Sequence, residues 1–427
     1  MDSSQPRNVQ NPKSIQTVFL DQPTSCLEFC PTAPDHFVIG TYLLSEEKSA
    51  EDDSVIKQSK TGSVQLWKLD SSSLTLSKVQ RISTPHAIFD LQFSPHDASV
   101  FATATSAASV TLYQITSSTE NVAISQLQTF TVKDDQALPA LYIAWIPPMP
   151  KAECSTDGFA VSFSDGSVSI FHPQQSQKAL RDVQSEQDLE ELELPNDPNP
   201  VEVWYIAFDQ TPTISKPCNL YAGDDFGALR CHQLVQSDDI DEDEESPKEF
   251  GSLFPAQVQQ SSTDRGRFHT AGVTAILPLR ESNSTDGSGS KIVVTGSYDE
   301  YIRVYKHSPI PREREVLAEL CLEGGVWRLR LLLDKTNQED NVRSLLIYAS
   351  CMHAGSRIVR IEHDMTADSW NIAVLAKFTE HESMNYASGV WNANALDSAA
   401  DESTTRRLTC VSSSFYDKRL CLWQVDI

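Results

Sequence analysis

The segment TGSYDEYIRVY, residues 295–305, constrains the fold more than any other stretch. It contains a small-residue strand, an acidic tight turn and an alternating strand that ends on an aromatic. A carboxylate at Asp299 can accept hydrogen bonds from the N–H groups of its own turn, and Ile302 and Val304 alternate with Arg303 as a half-buried strand requires. Asp299 and Tyr305 are six residues apart, and that offset recurs at TGSVQLW (61–67), AASVTLY (107–113), DGSVSIF (165–171), DFGALRC (225–231), HAGSRIV (353–359) and DKRLCLW (417–423). Ahead of each match, in chain order, lies a second apolar run: CLEFCP, IFDLQFSP, LYIAWIP, VWYIAF, VTAILPL, VWRLRLLL and ASGVWNA. A unit that repeats in this way cannot bury its hydrophobic face alone, so its copies must stack on one another.

Each unit supplies an inner strand, a second strand, an acidic turn and a third strand, which is the order of a propeller blade. The pattern resembles the WD-repeat family with its Trp-Asp pair weakened; the clearest endings are LWKLD at 66–70 and LWQVD at 422–426. The expected fold class is therefore all-β: a single seven-bladed WD-repeat-type β-propeller spanning 1–427. Its blades should lie near 24–70, 86–114, 140–173, 201–234, 268–307, 324–362 and 385–426. The chain stops just after the third strand of repeat seven, so the run SIQTVFL (14–20) is predicted to complete that blade and close the ring. Polar or acidic stretches at 46–60, 181–200, 236–263 and 281–290 read as mobile surface insertions, the third carrying the acidic run DDIDEDEE at 238–245.

Composition narrows the function. A net charge of −25 argues against binding nucleic acid through its phosphates and favours a basic protein partner. The nine cysteines lie outside any CxxC pair, which fits reduced thiols. No apolar run is long enough to span a membrane and the first residues lack a signal-peptide pattern, so a cytoplasmic or nuclear monomer without membrane attachment is expected. No cluster has metal-ligand spacing, and neither a metal nor a cofactor is expected.

The WD-repeat resemblance implies that two His/Asp pairs, His269 with Asp299 and His381 with Asp417, hydrogen-bond across their blades and hold the loops. His353 differs, because it occupies the slot that holds Asp in four of the repeats. Cys351 lies two residues earlier, and on a regular strand both side chains leave the same face. A thiol and an imidazole so placed are the parts of an activated nucleophile or of a base that activates water. A turn histidine above a buried cysteine is the plain structural alternative. There is no nucleophile elbow, Walker loop or HExxH.

Taken together, TGSYDE (295–300), GGVWRLR (324–330), SCMHAG (350–355) and SFYDKRLCLW (414–423) resemble the WD-repeat diphthine methylesterase family, with GDD (223–225) and HTAGV (269–273) extending the match. The resemblance implies an ester hydrolase that demethylates methylated diphthine, the modified histidine of translation elongation factor 2, during diphthamide biosynthesis. That substrate carries a trimethylammonium beside its methyl ester, so the chemistry asks for aromatic faces, an oxyanion donor and a base. Trp327, Tyr298 and Tyr416 are the aromatic candidates, and Arg328 with Glu300 or Asp299 the charged ones. Since Arg328 alternates with Trp327 along one strand, only one of them is expected to face the channel. His353 is the candidate base and Cys351 the second choice, as nucleophile. The competing reading is a non-catalytic WD-repeat scaffold that docks a basic partner.

Overall fold

The structure is a computed structural model that describes residues 9–48, 56–118, 121–148, 157–175, 178–209, 218–236, 256–280, 290–392 and 406–427. Seven antiparallel sheets form a ring, numbered here as blades 1 to 7 by their inner strands: Thr24–Phe29, Ile88–Phe93, Ala140–Trp145, Val203–Phe208, Val273–Pro278, Arg328–Asn337 and Asn385–Val390. Each inner strand falls on an apolar run named above. The second and third strands of the blades are mostly buried, because neighbouring sheets pack on both of their faces. The apolar clusters accordingly span pairs of blades.

The ring closes as the sequence predicts. Ser14–Phe19 pairs with Arg419–Asp426 and forms the outer strand of blade 7. A second latch lies just upstream, where Gln10 bonds through its N–H and C=O to Leu375 and Lys377 of blade 6, at 2.9 and 2.8 Å.

Three of the four predicted insertions contain ordered structure. Part of 46–60 continues a hairpin in which Leu43–Lys48 pairs with the start of the long strand Ile56–Asp70. The 181–200 stretch carries the outer strand of blade 3, Leu189–Glu193, and 236–263 runs into the outer strand of blade 4, Ala256–Asp264. Outer strands pair along one edge only and expose much of their surface, so their composition reads as loop. The acidic run 238–245 and residues 281–289 lie outside the described residues.

The two predicted loop ties exist in modified form. His381 sits between two hydroxyls, with Nδ1 2.9 Å from Ser414 Oγ and Nε2 2.8 Å from Ser412 Oγ, and Trp423 Nε1 donates to the same Ser412 at 3.0 Å. His269 Nε2 lies 2.8 Å from Thr295 Oγ1. The aspartates do not bond these imidazoles. Asp299 and Asp417 accept instead from the backbone N–H of Thr270 and Glu382, one residue beyond each histidine, at 3.0 and 3.1 Å.

Candidate functional site

One irregularity recurs at the same height in the ring. In six inner strands the register slips near the top, stranding one residue between paired neighbours: Ser25, Phe89, Leu141, Trp204, Thr274 and Tyr386. Blade 6 reaches the same result with Trp327, whose N–H bonds Ser350 O at 2.8 Å while Arg328 already pairs with Ser350. Two residues opposite one break the strand alternation and can turn consecutive side chains to the same side. This corrects the expectation that only one of Trp327 and Arg328 faces the channel. Both line it, with the guanidinium carbon 4.4 Å from the indole centroid.

Five of these residues, Ser25, Phe89, Trp204, Trp327 and Tyr386, join Tyr298, Phe415, Tyr416 and Tyr42 around a largely apolar cavity of about 420 Å³. Its rings form a continuous chain. Tyr298 stacks on Trp327 at 6.2 Å, Trp327 meets Trp204 at 5.7 Å and Tyr386 at 4.8 Å, and Phe415 links Tyr386 to Tyr42 at 5.5 and 6.1 Å. Pro23 and the hairpin residues Leu43 and Leu44 complete the wall. Trp327 Nε1 is buried without a hydrogen-bond partner, whereas Trp204 Nε1 donates to Asp225 at 2.7 Å.

A second cavity of about 280 Å³ lies next to the first, and Ser25 and Tyr386 line both. Its polar groups include Glu28, Asp90, Gln92, Arg328 and Arg330, with the rings of Tyr142 and Tyr205 beside them. Arg330 pairs with Glu28 at 3.0 Å. Arg328 gives Nη1 to the carbonyls of Thr274 and Trp327 at 3.1 and 3.0 Å and stands 4.8 Å from the Tyr142 ring centroid. Its Nη2 faces Asp90 Oδ1 at 4.0 Å. Asp90 is buried and accepts from Gln92 Nε2 at 3.2 Å. Burial pushes its carboxyl up to about 7, against the opposing pull of Arg328.

The sequence candidates divide between this axial pair of cavities and the surrounding turns. Trp327, Tyr298, Tyr416 and Arg328 line the cavities. Cys351 and His353 do not come together. The strand Val342–Ser350 ends before them, and Met352 takes a left-handed φ of 41°, which breaks the alternation that would have put both on one face. Cys351 is fully buried in the apolar cluster between blades 5 and 6, where burial pushes its thiol up to about 12. His353 is exposed on the turn and lines neither cavity. Glu300 and Asp299 are not the partners of Arg328. Glu300 faces the Cys321 thiol at 3.7 Å, and Asp299 is taken by Arg303 at 2.9 Å.

Asp90 and Trp204 were unmarked by the sequence reading, although both left a signal. Asp90 is a carboxylate inside the apolar run IFDLQF, and VWYIAF repeats the Val-Trp opening of VWRLRLLL.

No family model matches the chain. Over 97% of its length it is 27% identical to a diphthine methyltransferase of Schizosaccharomyces pombe, covering 97% of that protein. A diphthine methyltransferase homolog of Dictyostelium discoideum is 20% identical over 95% of the chain and 98% of its own length. The Mus musculus diphthine methyltransferase matches at 34% over 94 residues, 22% of this chain and 17% of that one. Among solved structures, Sqt1 from Chaetomium thermophilum aligns with a TM-score of 0.50 at 13% identity over 94% of this chain and 83% of that one, a likeness of fold alone.

Proposed function

We propose that this chain is a member of the WD-repeat diphthine methylesterase family and hydrolyses the methyl ester of methylated diphthine on translation elongation factor 2, releasing methanol. The observation that carries this reading is the aromatic cavity on the ring axis with a charged chamber directly adjoining it. In the substrate the quaternary nitrogen and the ester carbonyl carbon are two bonds apart. A cation site and a site for ester chemistry must therefore adjoin, and these two cavities share Ser25 and Tyr386. A trimethylammonium cannot donate a conventional hydrogen bond, so it is held by ring faces and by nearby negative charge. Trp327, Tyr298 and Tyr386 supply the faces, and Asp225, anchored on Trp204, adds negative charge behind them. Arg328, which lines the adjoining chamber, is the group that would donate to the ester oxygen. It does not compete with the guest for the whole aromatic surface, because only Trp327 among these three rings carries it.

The full-length relatives named for diphthine support the substrate; their name describes methyl transfer, and the direction of the reaction is what an assay must read. Purified chain should release one methanol per methyl ester lost from elongation factor 2, followed by mass spectrometry of the modified peptide. Methyl incorporation from a donor without methanol release would overturn the hydrolytic reading. A stable stoichiometric complex without turnover would favour the scaffold.

A further inference from the structure

Asp90 lies at the level of the ring where the aromatic cavity gives way to the charged one, and the bulge at Phe89 determines where it points. Phe89 lines the aromatic cavity while Asp90, the next residue, lines the polar one. Its Oδ2 accepts from Gln92, and Gln92 in turn donates to the Tyr142 hydroxyl at 2.8 Å, so the carboxylate is fixed on one side. Its Oδ1 faces Arg328 Nη2 across 4.0 Å, a gap too long for a direct hydrogen bond and suited to a bridging water. A buried carboxylate held at this separation from a cation, with open volume beside it, exceeds what ring stability requires.

Resting on the esterase reading, we propose that Asp90 is the general base of this site and that Arg328, through Nη2, is the donor that stabilises the ester oxyanion. Asp90 takes a proton from the bridging water as the water oxygen bonds to the ester carbonyl carbon. The carbonyl π electrons move onto oxygen, facing Arg328. Collapse of the tetrahedral intermediate breaks the carbon–methoxy bond, and the proton held by Asp90 passes to the departing methoxide to give methanol. The new carboxylic acid then ionises to solvent, so the balance is one water consumed and one methanol, one carboxylate and one proton released. A base with an ionisation near 7 matches this task. The titratable and charged groups that line the chamber with Asp90 are Cys26 and Glu28 on blade 1, Tyr142 on blade 3, Tyr205 on blade 4, Arg328, Arg330 and Tyr348 on blade 6, and Tyr386 on blade 7. Arg328 favours the ionised form and Glu28 opposes it.

The test is Asp90→Asn in the full chain, assayed by methanol release from elongation factor 2 bearing methylated diphthine. General-base loss should lower kcat by about 100-fold or more with KM changed less than about threefold. A folded Asp90→Asn, melting as the parent does, that keeps the parental rate overturns the assignment. A rate lost instead in His353→Ala returns the base to His353. If Asp90→Asn does not fold, the pH profile of Arg328→Gln decides. Removing the cation should move the acid limb of kcat/KM to higher pH, and a limb that stays in place overturns the proposal. Absence of methanol release by the parent chain is a separate result that sinks the esterase reading, and this inference falls with it.

Discussion

Four buried histidines, His232, His269, His307 and His381, are each held down to about 4 by burial, from an ordinary value of 6.5. The folded chain therefore keeps them neutral, while the unfolded chain takes up protons below 6.5. Their contribution to stability is complete above that pH and is lost as pH falls from 6.5 through about 4, because the unfolded state binds more protons there. Melting temperature should fall steadily between pH 6.5 and 4, and a calorimetric scan that is flat across this window would refute the account. At the same scale, Trp327→Ala removes the ring at the centre of the aromatic chain. A cation–π contact of about 1–2 kcal/mol corresponds to a rise in KM of roughly 5- to 30-fold, with a smaller effect on kcat. Individual residues were legible in the sequence where an aromatic or a charge interrupted a pattern, as in GGVWRLR. Asp90 interrupts IFDLQF in the same way, but a single carboxylate in a strand reads as an outward-facing residue unless the bulge that turns it inward is known.

Among the elements, the closing strand was readable in the alternating run 14–20, and the structure pairs Ser14–Phe19 with Arg419–Asp426. Its anchoring extends beyond the ladder, through Gln10 to blade 6 and through Ser14 N–H to Glu380 at 3.0 Å. Deleting residues 1–20 should lower the melting temperature and expose the edge of Arg419–Asp426, measurable by thermal melt and by aggregation on heating. The outer strands Leu189–Glu193 and Ala256–Asp264 escaped the sequence reading because edge strands exposed to water carry loop-like composition. The hairpin of Leu43–Lys48 and Ile56–Asp70 was missed for the same reason, yet it places Leu43 and Leu44 in the aromatic wall. Replacing residues 45–59 by a two-residue turn should weaken substrate binding while the melt stays close to the parental value. A variant that loses fold and binding together would show that the deleted residues serve stability.

At the scale of the whole molecule, a ring of seven sheets leaves an axial space whose contents the fold itself does not dictate. The fold class was legible because a fixed offset survives sequence drift. The axial cavities were not, because they are assembled from residues scattered over the whole chain. A small guest that binds only the closed ring should stabilise all of it at once. Betaine methyl ester carries a trimethylammonium beside a methyl ester, as the proposed substrate does, and should raise the melting temperature of the parent but not of Trp327→Ala. An equal shift in both would place its binding elsewhere. The slipped positions at the top of the blades carry this idea further. Read around the axis from blade 1 to blade 7 they spell Ser25, Phe89, Leu141, Trp204, Thr274, Trp327 and Tyr386, a seven-letter word written at one height. Thr274 donates to Val326 O and Leu141 is core, so these two belong to the ring, whereas Phe89, Trp204, Trp327 and Tyr386 face the aromatic cavity, and rewriting those four letters should exchange the guest while leaving the ring that holds it in place.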